Sequence, residues 1–203
     1  MKNRTISRRN LLRTTGMAGM VALAACAVTT TNGVTTITLD VTKVKNYGQA
    51  GLNAAATVTS FLSSFPALAP YALAITAAET ALSGALSAFS SAAGSTLTIS
   101  YNDASWKTRV DSILSDLDTL AAAIESALAG SGSALSSSVL SNAKTAYNAL
   151  ATLISVFKAL LGVADAKAPV GNRMHLTRDM VLVGAPVPAT GMTEAQALKA
   201  LGV

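Results

Sequence analysis

The chain has 203 residues, of which 51% are apolar, 12% charged and 4% aromatic, and a formal net charge of +5. That length holds one ordinary domain, alone or behind a processed leader. A single Cys and a single His exclude a disulfide framework and any zinc site built from several Cys and His.

The charge is unevenly placed. Residues 1–26 carry Lys2, Arg4, Arg8, Arg9 and Arg13 and no acid, which leaves ten of the fifteen basic residues to match the ten acids in the rest of the chain. The body is therefore neutral and has no basic patch of the kind that holds a phosphate backbone, so no nucleic-acid partner is expected.

The first segment reads as an address. Ser7-Arg8-Arg9-Asn10-Leu11-Leu12-Arg13 resembles the twin-arginine (Tat) export signal, with Leu11 where that family usually has Phe. Thr14 to Ala25 is mildly apolar, interrupted by Gly16 and Gly19, and too short for a membrane span, which needs about 20 apolar residues. Leu23-Ala24-Ala25-Cys26 resembles a bacterial lipobox, and the only Cys of the chain falls at its end. The resemblance implies recognition of Arg8 and Arg9 by the Tat translocase. It also implies diacylation of Cys26 as the first mature residue and anchoring in membrane lipid. Cleavage by ordinary signal peptidase at Ala22-Leu23-Ala24 is the competing reading. Ala27, following the Cys, makes the outer membrane the default destination in a Gram-negative envelope. Beyond this leader, residues 1–25, the sequence resembles no particular family.

Residues 26–33, with Thr29-Thr30-Thr31-Asn32-Gly33, are expected to form a flexible tether. Val34 to Val41 alternates, with Ile37, Leu39 and Val41 on one side and Thr36, Thr38 and Asp40 on the other, as in a half-buried strand. Thr96 to Tyr101 repeats the pattern with Leu97, Ile99 and Tyr101 inward, and the two runs are expected to pair.

Between them lie helices predicted at 43–65 and 67–92, with Pro66 opening the second. Their apolar stripes are Val44, Tyr47, Gly51, Ala55, Val58, Leu62, Phe65 and Leu68, Tyr71, Ile75, Ala78, Leu82, Leu86, Phe89. Steps of three and four place each stripe on one face. Folded back on each other, the stripes meet in one antiparallel register, Val44 against Phe89 and Gly51 against Leu82.

Helices at 104–129 and 136–161 repeat the arrangement. Asp103 is the N-cap of the first, Gly130-Ser131-Gly132-Ser133 is the turn, and Gly162 is the stop. Trp106, Val110, Ile113, Leu117, Leu120, Ile124 and Leu128 form one stripe. Val139, Ala143, Tyr147, Leu150, Ile154, Phe157 and Leu161 form the other, with Val110 expected against Phe157. Asp111 with Lys158, and Glu125 with Lys144, are expected to flank this seam. The whole reads as mainly α: an antiparallel four-helix bundle of two αα-hairpins over 34–162, with a small two-stranded β element. Its local contacts suit rapid folding, and the Tat route carries chains that are already folded.

From 163 to 203 the pattern breaks. Pro and Gly punctuate the segment, and Met180 to Val183 reads as a short strand or an extended arm. Thr193 caps a last short helix, Glu194 to Leu201. This tail is expected to pack on the helices only in part.

The motifs argue against chemistry. His175, with Asp179 four residues on, reads as an ordinary surface or satisfied His and not as a base with its orienting carboxylate. No Gly-x-Ser-x-Gly elbow accompanies it. Asp111, Asp116 and Asp118 sit on one helix with no Glu-x-x-His partner, so they read as a solvated face and not a metal site. Gly130-Ser131-Gly132 has no following Lys and is no phosphate loop. Trp106 reads as a cover for the end of the bundle. No enzyme activity, catalytic residue, cofactor or metal is expected. The expected function is an exported envelope module that binds a protein or surface component. A membrane-inserting helical protein is the alternative, suggested by the mean hydropathy of +0.47 and the few charges.

Overall fold

The computed structural model describes residues 26–31, 34–131, 135–162 and 191–203. The protein is mainly α with a small antiparallel sheet. In chain order it has β1 (Cys26–Thr31), β2 (Val34–Asp40), α1 (Val41–Leu62), α2 (Ala69–Ala93), β3 (Thr98–Ser100), α3 (Ala104–Ser131), α4 (Ser137–Leu160) and α5 (Glu194–Ala200).

The sheet is antiparallel with order β1-β2-β3, and Cys26, Leu39 and Ile99 lie in one row across it. Two expectations need correcting. Cys26–Thr31 is not a tether but a strand along β2, so the sheet has three strands and not two. The Thr and Val that looked like a loose linker are β-branched, and they take the free edge of β2 once that strand is formed. Leu97 is also not inward, being 77% exposed. Pairing begins only at Thr98, so Leu97 lies before the strand. Its carbonyl accepts a hydrogen bond from the Val41 N–H at 3.0 Å.

The helix ends follow local chemistry. Asp40 Oδ1 accepts from the N–H groups of Thr42 (2.7 Å) and Lys43 (3.3 Å) and starts α1 as β2 ends. Phe65 is extended, as a residue before proline prefers, and Pro66 opens a short 3₁₀ turn to Leu68. α2 follows from Ala69 with Pro70 in its first turn. Asp103 Oδ1 accepts from Ser105 N–H at 2.8 Å and Trp106 N–H at 3.3 Å, making it the cap the sequence predicts. Gly162, at φ +69°, closes α4 in the left-handed region. α3, however, runs through Gly130 to Ser131. Gly130 therefore belongs to the helix, where it lies against the Tyr71 ring with no room for a Cβ.

The predicted stripes form the core. Every residue of the four stripes is buried or half-buried, and all but Gly51 belong to one apolar cluster. A Cβ on Gly51 would lie 2.8 Å from Leu82 Cδ2, the partner expected from the antiparallel register. Phe89 and Trp106 meet edge to face at 5.8 Å, while Tyr71 reaches Gly130, so α2 and α3 run in opposite directions. Tyr47 and Phe157, 5.1 Å between ring centroids, join the start of α1 to the end of α4. The sheet, both ring pairs and α5 thus gather at one end of the molecule.

Candidate functional site

Polar side chains converge at that same end, in two clusters. In the first, the Tyr101 hydroxyl donates to Asp111 Oδ1 at 2.5 Å. Lys107 Nζ reaches Tyr101 Oη at 3.0 Å and Asp111 Oδ2 at 2.6 Å, and lies 4.7 Å from the Tyr101 ring centroid. Tyr101 follows β3 directly, and the turn through Asn102 and Asp103 places it over the first turns of α3. Its N–H donates to Ile37 O at 2.8 Å, and Asn102 Oδ1 accepts from Ile37 N–H at 2.8 Å. Burial, with the Asp111 hydrogen bond, holds the Tyr101 phenol above the ordinary tyrosine value. Asp111 and Tyr101 hold the Lys107 ammonium charged by pushing its pKa upward. A phenol held protonated and an amine held charged clamp the turn after β3 to the start of α3.

The second cluster docks α5. Glu194 Oε1 accepts from Tyr47 Oη at 2.9 Å and from Lys43 Nζ at 3.2 Å. Asn53 Nδ2 donates to the Leu201 carbonyl at 2.7 Å. Three residues of α1 thus hold a helix about 150 positions away in sequence. Nothing in the local pattern around Lys43 or Asn53 signals this, because the partners share no periodicity.

The residues singled out from sequence are placed as follows. Arg8, Arg9, His175 and Asp179 lie outside the described residues. Cys26 opens β1, its backbone paired with Leu39. The three carboxylates of α3 do not converge: Asp111 belongs to the clamp, Asp118 receives Lys158 at 3.1 Å, and burial pushes the Asp116 carboxyl up. Lys158 therefore pairs two turns further along α3 than the expected Asp111, which Lys107 and Tyr101 already hold. Glu125 faces the Tyr147 hydroxyl, and that phenol is raised by burial first and by Glu125 second. Among the described residues, no three metal-ligating side chains form a group that could hold an ion. Trp106 is half-buried against Phe89. Comparison with protein-family models, curated proteins and solved structures returns no match.

Proposed function

We propose that this chain is exported through the Tat translocase on its Arg8-Arg9 signal and anchored by acyl chains on Cys26. It then serves on the periplasmic side of the outer membrane as a non-catalytic structural or interaction module. Its four long helices are read as an antiparallel four-helix bundle made of two αα-hairpins. The observation that carries the reading is the position of Cys26. The only cysteine follows the apolar, small-residue stretch and is also the first residue of β1. A lipid there would hang on a residue bound into the sheet, holding the body close to the bilayer. Several acyl chains give stable attachment, at about 0.8 kcal/mol per buried CH₂. The partner is an envelope protein or surface component.

Mass spectrometry of the protein from the membrane fraction tests this. An N-terminal peptide beginning at a triacylated or diacylated Cys26 is the expected result. An unmodified Cys26 inside a longer peptide, or a soluble form beginning at Ala25, would remove the anchor.

A membrane-active reading rests on one feature. Pro66–Ala93 is long and apolar enough to cross a bilayer by length and composition, and carries a single charge, Glu79. Leakage of dye from anionic liposomes on adding the mature protein would favour this reading over the module.

A further inference from the structure

α5 is closed at both ends by its own residues. Thr193 N–H donates to Gln196 Oε1 at 2.9 Å while Gln196 N–H donates to Thr193 Oγ1 at 3.3 Å, a reciprocal capping box. At the other end Gly202, at φ +73°, turns the backbone in the left-handed region. Gly202 N–H then reaches Lys199 O at 3.2 Å, and Val203 N–H reaches Leu198 O at 3.1 Å. Those two bonds are the Schellman closure. Residues 191–203 therefore satisfy their own helix ends and need from the protein only a surface.

That surface is specific. Glu194, Ala197 and Leu201 follow at i, i+3 and i+7, which is one helix face. Ala197 is fully buried and Leu201 is 5% exposed. Lys43 and Tyr47 hold the carboxylate at the first turn, and Asn53 holds the carbonyl beyond the last. Lys43 and Asn53 stand ten residues apart on α1, about 15 Å at 1.5 Å per residue, so they fix both the position and the direction of the docked helix. α4 carries most of the packing against α5, and buries Ala146, Ala149 and Leu153 outside its seam stripe. The chain between Gly162 and Gly191 is 28 residues long, so connection length alone does not pin α5 here; the contacts do.

We infer that the surface formed by α1 and α4 is a helix-docking site that reads a short acidic amphipathic helix. α5 fills it in cis, and an envelope protein partner enters by displacing α5. The matching helix carries a carboxylate in its first turn, a small residue three positions on and a leucine seven positions on. This deepens the interaction reading and rests on it, because it names the surface through which a protein partner would be held.

A labelled synthetic peptide of residues 191–203, titrated against the full chain by fluorescence anisotropy, tests the inference. Glu194→Lys in the chain sets two ammonium groups against each other and releases its own α5. This variant is expected to bind the peptide about tenfold more tightly than the unaltered chain, whose own helix competes. Lys43→Glu combined with Glu194→Lys restores the cis pair with reversed signs, and is expected to close the groove to the same peptide. A peptide carrying Glu194→Lys is expected not to bind the Glu194→Lys chain. The milder Glu194→Gln removes the charge without repulsion, and gives the same reading if the lysine variant loses helicity beyond α5. No binding by either variant at about 1 mM peptide would overturn the inference, as would equal binding by the charge-reversed pair. The mass of Cys26 is independent of all these outcomes, so a failed groove and a failed anchor are told apart.

Discussion

α1 and α2 both carry many small residues, four Ala and two Gly in α1 against ten Ala and one Gly in α2, and they hold opposite places in the molecule. Ten of the 22 residues of α1 are buried, against six of the 25 in α2. Among the described residues, α1 touches each of the other four helices, while α2 lies chiefly on α1 and α3. In α1 the small residues admit neighbours: Gly48 lies against Leu86, and Gly51 lies among Leu82, Leu117 and Leu120. In α2 they face outward, as Ala74, Ala77, Ala81, Gly84 and Ala88 do, with Leu73 71% exposed among them. Small side chains thus serve close approach in α1 and, across the outer face of α2, only helix propensity. Residue size alone does not separate the two uses; the number of faces each helix buries does.

The contrast breaks most visibly at leucine. Leu82 is fully buried against α1, so Leu82→Ala is expected to cost about 2–5 kcal/mol, through lost apolar contact and the cavity left behind. Leu73→Ala, on the same helix, is expected to stay within about 0.5 kcal/mol. Urea denaturation of both variants measures the difference, and equal losses would show that α2 is covered on its outer face.

Glycine sharpens the comparison. A methyl on Gly51 would lie 2.5 Å from Leu117 Cδ2 and 2.8 Å from Leu82 Cδ2. Both are ends of flexible side chains, so they shift, at an overpacking cost of about 1–3 kcal/mol. Against this stands about 1 kcal/mol of better helix propensity, so Gly51→Ala is expected to lose stability. Gly84 on α2 has nothing within 4 Å of such a methyl, and Gly84→Ala is expected to gain about 0.5–1 kcal/mol. Opposite shifts in the denaturation midpoint are the signature; a gain at both positions would mean that α1 is not tightly enclosed.

The helix starts differ as well. α1 is capped by the Asp40 side chain, whereas α2 has no side-chain cap and relies on Pro66 and Pro70 to set its first turns. Asp40→Ala is expected to cost about 1 kcal/mol. Hydrogen exchange should place that loss in the first turn of α1 and leave α2 unchanged.

The smallest effect is alkaline. Tyr101 and Tyr147 both hold their protons more tightly in the fold than an ordinary tyrosine, whose value is about 10. As pH rises, the unfolded chain releases these protons first, so stability is whole below the ordinary value and falls as pH climbs above it. Tyr101→Phe, read by denaturation midpoints between about pH 9 and 11, should flatten part of that fall.

Much of the helical architecture was legible because capping and periodicity are local. Asp103, Thr193 and Gly162 each act on a neighbour within four residues, and each stripe is a property of one helix. The α1–α2 register was legible too, since the short turn at Pro66 leaves little freedom and Gly51 meets Leu82 as the spacing requires. The flanking charges of α3 and α4 were not. Asp111 was taken by Tyr101 and Lys107, a competition that depends on where the turn after β3 points. β1 was missed because its pairing partner, not its own pattern, makes it a strand. The docking of Glu194 on Lys43 and Tyr47 had no signal at all across some 150 residues.

The order of residues by itself determined which segments are helical, which residues cap several of their ends, and which stripe each turns inward; the far end of α3, which runs through Gly130 to Ser131, was not among them. Each of these depends on side chains within one or two turns of one another. Only the tertiary structure decided that α1 is enclosed while α2 lies open, and that α5 returns to α1 and α4. A stripe reports the first face a helix buries. A second face is buried only when another element, remote in the chain, comes to lie against it.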